Sequence, residues 1–242
     1  MRSSTATLID TFAALSALSD FTLSPDGRSL GYVQSVGAHS RKQIFSIPIE
    51  RAYSRRLTAT LDDCAEPQFS PDGQHLVYVR EHALWIANAD GTNARKLTDH
   101  PAGNSAPRWS PDGSRIAFLS RRRGWTHLWT ISPNDAQPKH ITLGEFDVCN
   151  PAWSMDGKWL AYDSWRADDI QTRSVYLIPA NGGEEELVSA KNCWSGAPAF
   201  SSDGRTLAFL SDQSGWFHIY LYDQQLRIAH QLTRVFTAKF ID

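Results

Sequence analysis

The pattern of apolar and polar positions predicts short strands joined by tight turns. In Pro71-Asp72-Gly73, proline presets the φ angle of a turn, aspartate bonds its own backbone, and glycine takes the positive φ that closes a hairpin. This turn therefore predicts a hairpin between a strand over Glu66–Ser70 and a strand over His75–Arg80. A third strand over Ala83–Asn88 and a fourth over Ala94–Thr98 follow, so this stretch predicts four antiparallel strands.

The same turn recurs five times along the chain, with its glycines 40 to 47 residues apart. The copies are Ser24-Pro25-Asp26-Gly27, Ser70-Pro71-Asp72-Gly73, Ser110-Pro111-Asp112-Gly113, Ser154-Met155-Asp156-Gly157 and Ser201-Ser202-Asp203-Gly204. A second marker keeps the same phase, and its copies are Leu57-Thr58, Leu97-Thr98, Ile141-Thr142, Leu187-Val188 and Leu232-Thr233. Units of about 40–45 residues with four strands each are typical of β-propeller blades, so the sequence predicts an all-β propeller.

The two markers also set the domain boundaries. Residues 1–19 are predicted to be a lead-in, and residues 20–242 to be the propeller, with repeats at about 20–58, 66–98, 106–142, 150–188 and 197–233. Propellers close with four to eight blades. Because a sixth unit should start soon after Leu232-Thr233, we expect the five units to belong to a larger ring. An open ring would leave a blade face uncovered, which predicts self-association or a poorly ordered fifth blade.

The start of the chain predicts a short amphipathic helix. Its apolar residues fall on one helical face, at Leu8, Phe12, Leu15 and Leu18. Asp10 interrupts the apolar run that a secretory signal would need, so we expect a cytoplasmic protein.

Composition excludes several function classes. The 24 basic and 26 acidic residues give a net charge of −2, which provides no basic footprint for nucleic acid. No apolar run approaches the roughly 18 residues of a membrane-spanning helix. The three cysteines are too few for a disulfide scaffold, and neither they nor the eight histidines show metal-ligand spacing.

The repeat frame Pro-x-aromatic-Ser-Pro-Asp-Gly, followed by an apolar strand, resembles the WD-like propeller repeats of TolB and of the prolyl oligopeptidase family. Ser120–Trp129 and Ser211–Tyr220 are similar to the Ser-x-x-x-Gly-Trp-x-His-Leu-Tyr segments of dipeptidyl and acylaminoacyl peptidase propellers. The lead into the first repeat, Leu18-Ser19-Asp20-Phe21, is similar to the same peptidases. The resemblance covers about residues 17–233. It implies that a serine-nucleophile α/β-hydrolase domain follows the propeller, and that the propeller limits access to the active site.

The chain itself carries no nucleophile elbow, because the nearest match, Gly103-Asn104-Ser105-Ala106-Pro107, lacks the last glycine and is expected in an inter-blade loop. We therefore predict no catalytic, cofactor-binding or metal-binding residues. The main hypothesis is the non-catalytic propeller portion of a serine peptidase, which selects peptide substrates for a C-terminal hydrolase domain and has no nucleic-acid or membrane partner. A TolB-like protein-binding module, periplasmic in that case, is the alternative. A metal-dependent lyase with ligands at the propeller axis is the third hypothesis.

Three groups of residues are candidate binding sites, and for each we favour a role that involves no ligand. His127 and His218 occupy equivalent repeat positions and should hydrogen-bond between strands. Trp125 and Trp216 are also equivalent and should fill gaps between blades, although an aromatic binding surface is the alternative. Arg121-Arg122-Arg123 should be a solvated turn.

Two acidic stretches remain. Glu184-Glu185-Glu186 enters an outer strand and should be a solvated edge rather than a clamp for a substrate amine. Asp168-Asp169, close to Arg166 and Arg173, suggests an enlarged loop in the fourth unit, but selects no ligand.

Overall fold

A computed structural model describes residues 18–50, 53–166 and 169–234. Leu8, Phe12 and Leu15 of the expected helix and Asp168 of the expected loop lie outside the described residues, and Leu18 begins the first strand. The described chain forms twenty strands and no helix, which confirms the all-β prediction. No helix among these residues is long and apolar enough to span a membrane.

The strands form five four-stranded antiparallel sheets, here called blades 1 to 5. Blade 1 contains β1 (Leu18–Leu23), β2 (Ser29–Val36), β3 (Arg41–Pro48) and β4 (Arg55–Arg56), and blade 2 contains β5 (Cys64–Phe69), β6 (His75–Arg80), β7 (Ala83–Asn88) and β8 (Arg95–Lys96). Blade 3 contains β9 (Asn104–Trp109), β10 (Ile116–Ser120), β11 (His127–Ser132) and β12 (Asp135–His140). Blade 4 contains β13 (Phe146–Trp153), β14 (Trp159–Arg166), β15 (Asp169–Pro179) and β16 (Glu186–Leu187), and blade 5 contains β17 (Ser195–Phe200), β18 (Thr206–Ser211), β19 (His218–Asp223) and β20 (Ile228–Gln231).

The chain divides into two compact units, each with its own core. The first comprises residues 1–118 with 131–138, and the second comprises residues 119–130 with 139–242. Blades 1 and 2 share a buried cluster in the first unit: Val33, Ile44, Leu57, Cys64, Leu76, Tyr78 and Ala87. Blades 4 and 5 share one in the second: Ala161, Val175, Leu177, Val188, Leu207, Phe209, Tyr220 and Tyr222.

The repeated Ser-x-Asp-Gly turn is held by a small hydrogen-bond network. In the third copy, the Ser110 hydroxyl donates to Asp112 Oδ1 over 2.6 Å, and the same oxygen accepts the Ser114 amide over 3.1 Å. These bonds lower the pKa of Asp112 to about 2, with the Ser110 hydroxyl as the largest cause. The hydroxyl oxygen also accepts the Arg115 amide over 2.9 Å, so the serine ties both strands of the hairpin together.

Replacing Gly113 with valine should destabilise the protein by about 1–3 kcal/mol. Its φ is +70°, which a β-branched residue resists, whereas a Cβ at this position would meet only Pro71 Cδ at 3.9 Å. The cost is therefore one of backbone strain rather than of collision. Urea unfolding of Gly113→Val and Gly113→Asn measures this, and asparagine should cost clearly less because it tolerates positive φ. Equal costs for the two variants would contradict the assignment.

The second marker of each repeat has a structural cause. In blade 2, the Thr98 hydroxyl oxygen accepts the Leu84 amide over 2.9 Å, and thereby closes the sheet beyond the short outer strand. Blade 4 does the same with Ser189, which accepts the Val175 amide over 3.1 Å. The fourth marker is therefore Val188-Ser189, and the prediction of Leu187-Val188 is wrong by one residue. A serine in place of threonine concealed the correct register.

The first strand of each blade carries one residue with positive φ. These residues are Asp20, Glu66, Ala106, Asn150 and Ala197. In the first unit, the Glu66 amide donates to Asp20 Oδ2 over 3.2 Å, and the Ala106 amide donates to Glu66 Oε2. A carboxylate from one first strand thus binds the backbone of the next. Since Asn104–Pro107 belongs to β9, the expectation that Gly103–Pro107 is an inter-blade loop is corrected.

Candidate functional site

A cleft of about 830 Å³ opens in the second unit, between blades 4 and 5. The segment that connects β16 to β17 forms one side, through Lys191, Asn192, Cys193 and Trp194. The turn between β18 and β19, from Asp212 to Gly215, forms the other side, while Thr172 and Tyr220 contribute from β15 and β19. The two loops thus place polar and aromatic groups around an open, mostly polar cleft, and loops held on a rigid scaffold often carry binding residues.

A buried ion pair lies beside the cleft. Asp163 on β14 is completely buried, and its Oδ1 accepts from Nε of Arg173 on β15 over 2.8 Å. The other carboxylate oxygen accepts the Asn150 side-chain amide over 2.9 Å and the Ala197 backbone amide over 2.8 Å. All strong acceptor sites of Asp163 are therefore used within the protein, so this carboxylate is structural.

Gly196 is needed for the approach of this carboxylate. A Cβ there would lie 2.9 Å from Asp163 Oδ2 and 3.1 Å from Trp194 Cη2. Only glycine therefore lets β17 meet Asp163 so closely.

The ion pair positions the aromatic wall of the cleft. The Arg173 guanidinium carbon lies 4.1 Å from the Trp165 ring centre and 5.4 Å from the Trp194 ring centre. The Trp194 amide donates to Asp212 Oδ1 over 2.8 Å, and the Asp212 amide donates back to the Trp194 carbonyl over 3.1 Å. Phe217 meets the Trp194 ring edge to face at 5.1 Å. Trp194 is thus fixed by its ring and by its backbone.

Cys193 is the thiol of this cleft, and it is half-buried. Its sulfur donates to the Ala190 carbonyl at 3.3 Å and lies 3.6 Å from Ser195 Oγ. Ser195 in turn donates to Ser211 Oγ over 2.9 Å. The three cysteines Cys64, Cys149 and Cys193 are all unpaired.

The predicted role of the two equivalent histidines is confirmed. His127 Nδ1 lies 3.2 Å from Thr142 Oγ1, and His218 Nδ1 lies 3.2 Å from Thr233 Oγ1. Each threonine belongs to the second repeat marker, so each histidine joins the third strand to the end of the fourth.

The packing role predicted for the repeated tryptophans is wrong. Trp216 is 74% exposed and Trp125 is 37% exposed, so neither fills a gap between blades. Both lie in turns between second and third strands, beside exposed Phe217 in the case of Trp216. The expectation that these two tryptophans fill gaps between blades fails because the repeat places both at turn tips.

Some of the charged candidate residues are exposed to solvent, and others form contacts within the protein. Arg121 and Arg123 are exposed, as expected, but Arg122 is half-buried over the Trp129 ring, at 5.0 Å. Glu184 is exposed. Glu185 is also exposed, as expected, whereas Glu186 is half-buried, and both bind tyrosine hydroxyls, which the expectation of a solvated edge did not include.

Glu185 accepts from the Tyr162 hydroxyl and pairs with Arg166 over 2.8 Å. Glu186 accepts from the Tyr222 hydroxyl over 2.5 Å. The two carboxylates are therefore committed to buried phenols rather than to a ligand. The side chain of Asp169 lies outside the described part of the structure.

A half-buried histidine predicts acid sensitivity. The His140 ring stacks on Trp129 at 4.2 Å and meets His127 at 4.9 Å. Burial lowers the pKa of His140 to about 4, with smaller contributions from His127 and Arg123. Because the unfolded chain protonates near its ordinary pKa of 6.5, stability should fall as the pH decreases from about 6.5 to about 4.

Thermal unfolding between pH 7 and pH 4.5 tests this. His140→Phe preserves a stacked ring and removes the titration, so it should flatten the acid-side loss of Tm. His39→Phe changes an exposed histidine and should leave the acid limb as it is. Identical pH profiles for wild type and His140→Phe would contradict the prediction.

One signal for the ion pair was present in the sequence. Asp163 occupies the repeat position held by Val33, Val79, Leu119 and Leu210 in the other blades. An aspartate at an apolar repeat position requires a buried partner, and Arg173 is that partner.

No group of three histidine, cysteine, aspartate or glutamate side chains placed to hold a metal occurs within the described ranges.

Comparison with known proteins agrees with this architecture. The chain is 26% identical over 188 residues to the uncharacterized peptidase YuxL of Bacillus subtilis, a match that covers 60% of this chain and 29% of YuxL. It is 27% identical over 216 residues to the uncharacterized protein Atu1656 of Agrobacterium fabrum, covering 84% of this chain and 72% of that protein. The fold matches a puromycin-hydrolyzing peptidase of Mycobacterium tuberculosis with a TM-score of 0.72 at 18% identity, covering 90% of this chain and 38% of that one.

The chain thus spans under a third of YuxL but most of Atu1656. Peptidases that contain such propellers are among its relatives, and the resemblance seen in the repeats is confirmed. The PD40 family, described as TolB beta propeller domain, matches residues 14–171, which is more than half of the sequence. The chain therefore belongs to the TolB β-propeller domain family.

Proposed function

We propose that this chain is the propeller portion of a prolyl-oligopeptidase-type serine peptidase, and that it selects peptides for a C-terminal α/β-hydrolase domain. The observation that carries the proposal is the cleft between blades 4 and 5, whose wall Trp194 is fixed while Lys191, Asn192 and Gln213 are exposed. A rigid aromatic wall beside free polar groups suits a peptide, because the backbone amides of a peptide need hydrogen-bond partners and its side chains need apolar contact. The match to under a third of a peptidase relative also supports the proposal.

In this proposal the propeller binds and the hydrolase cleaves. Acyl transfer needs an activated nucleophile, a base and an oxyanion hole. The purified chain should therefore bind peptides without cleaving them, and a fluorophosphonate probe should not label it. Incubation with a peptide mixture, followed by mass spectrometry of the retained and the cleaved species, measures both properties. Stoichiometric labelling or peptide cleavage would overturn the non-catalytic role, and failure to retain any peptide would overturn the selecting role.

A TolB-like protein-binding module is the second candidate, and the exposed Trp216 and Phe217 favour it. Large aromatics at exposed turn tips are common anchors of protein interfaces. Pull-downs from a cytoplasmic and from an envelope extract separate the two candidates. The peptidase hypothesis predicts a cytoplasmic protein that does not retain envelope proteins. A TolB-like role predicts that envelope proteins are retained by wild type and lost by Trp216→Ser.

A further inference from the structure

We propose that the cleft between blades 4 and 5 recognises a carboxylate of a bound peptide, and that Lys191 is the cation that meets it. The inference rests on the proposed function, since it takes peptides as the ligands, and it adds the chemical group that the cleft selects.

The two charged groups of the cleft differ in how available they are to a ligand. Lys191 and Asp212 are the two charged side chains in its lining. Asp212 is committed, because its Oδ1 accepts the Trp194 amide over 2.8 Å and so fixes the wall of the cleft. Lys191 is exposed and has no ion-pair partner among the described side chains. Asp212 keeps its negative charge but is held at the wall by its bond to the Trp194 amide, so the exposed ammonium of Lys191 is the charged group of the cleft without a described partner.

The nearby cation Arg173 does not compete for the ligand. It is 12% exposed in its side chain and is paired with the fully buried Asp163, while its planar face is occupied by Trp165 and Trp194. Its charge is neutralised inside the protein, and its role is to position Trp194. An anion that enters the cleft therefore meets the ammonium group of Lys191.

The other residues that line the cleft suit the peptide that carries the carboxylate. Asn192, Gln213 and Ser214 are exposed, and their side chains make no described hydrogen bond within the protein. They can donate to peptide carbonyls, and the two amides can also accept from peptide N–H groups. Trp194 offers a fixed apolar wall for a neighbouring side chain, which limits the entropy lost on binding.

A terminal ammonium group fits the cleft less well. It would need a carboxylate free to accept several hydrogen bonds, and one oxygen of Asp212 already binds backbone. The carboxylate of the ligand could be the peptide C-terminus or an acidic side chain, and three probes distinguish these sources. All are rhodamine-labelled alanine-rich hexapeptides: one with a free C-terminal acid, one amidated, and one amidated with an internal glutamate.

Fluorescence anisotropy with the full chain at low salt tests the proposal. The free acid should bind about fivefold more tightly than the neutral amide, as expected for one exposed ion pair. If acidic side chains are also accepted, the glutamate amide should regain this preference; if it does not, the site reads the C-terminus. Lys191→Ala should remove the preference for the acid. Because Lys191 is exposed, the variant should unfold like wild type.

Lys158→Ala is the matched control, since it removes the same charge from the turn between β13 and β14, at the opposite end of blade 4. It should keep the full preference for the acid. Equal affinity of wild type for the acid and for both amides, or an unchanged preference in Lys191→Ala, would overturn the inference while peptide selection stands. Failure of all three probes to bind, together with failure to retain any peptide from the mixture, would overturn the proposed function itself.

Discussion

Replacing Asp163 with alanine should reduce the free energy of unfolding by about 3–5 kcal/mol. The change leaves the guanidinium of Arg173, which is 12% exposed, without its counter-charge. It also leaves the Asn150 side-chain amide and the Ala197 backbone amide without their acceptor. Losing one partner of a buried ion pair costs far more than the pair contributes relative to an apolar core, because the remaining charge stays desolvated. Urea denaturation of the full chain, followed by tryptophan fluorescence, measures the change.

Two controls separate charge from hydrogen bonding. Asp163→Asn keeps an oxygen that can accept the Ala197 amide, so it should cost less than alanine. Asp99→Ala removes an exposed carboxylate that pairs with Lys96, and it should change stability by less than about 1 kcal/mol. Equal losses in the free energy of unfolding for Asp163→Ala and Asp99→Ala would contradict the structural role of the Asp163–Arg173 pair.

The exposed apolar residues Leu210, Ile219 and Leu232 on blade 5 should make the chain self-associate. Leu210 is 38% exposed, Ile219 is 37% exposed and Leu232 is 55% exposed. In blade 1 the equivalent positions, Val33, Ile44 and Leu57, are buried, at 1%, 0% and 7% exposure. A contiguous apolar face on a sheet is a site of association. Sedimentation velocity over a range of concentrations should show dimers or larger species.

A variant with Leu210→Ser, Ile219→Thr and Leu232→Ser should dissociate more easily. With about 1 kcal/mol of apolar burial lost at each position, its dissociation constant should rise by about a hundredfold. Leu226→Ser, Leu143→Ser and Leu61→Ser change three exposed leucines in other places and form the matched control. A wild-type chain that stays monomeric and melts sharply at all concentrations would contradict the prediction.

The fold was readable from the sequence because its determinants are local. Each Asp-Gly turn carries its own hydrogen bonds, such as that from the Ser110 hydroxyl to Asp112. The predicted strands His75–Arg80 and Ala83–Asn88 match β6 and β7 in both bounds. The predicted outer strand Ala94–Thr98 is reduced to Arg95–Lys96, and beyond its end the Thr98 hydroxyl accepts the Leu84 amide.

The cleft was not readable in the same way, because it depends on contacts between blades. Trp194, Arg173 and Asp212 are far apart in sequence, and neither their spacing nor any motif indicates that they meet. Asp163 was the exception, as a charged residue in an apolar repeat position. The exposure of Trp216 also depends on where the turn between β18 and β19 places a side chain, which the repeat alone does not determine.

The proposal that this propeller serves a serine hydrolase is tested most directly by the reading frame beyond the codon for Asp242 in the source DNA. We expect it to continue through further Ser-Pro-Asp-Gly units into a Gly-x-Ser-x-Gly elbow, followed by an aspartate and then a histidine, which is the chain order of an α/β-hydrolase triad. A stop codon directly after Asp242, or an open frame without such an elbow, would contradict the peptidase assignment.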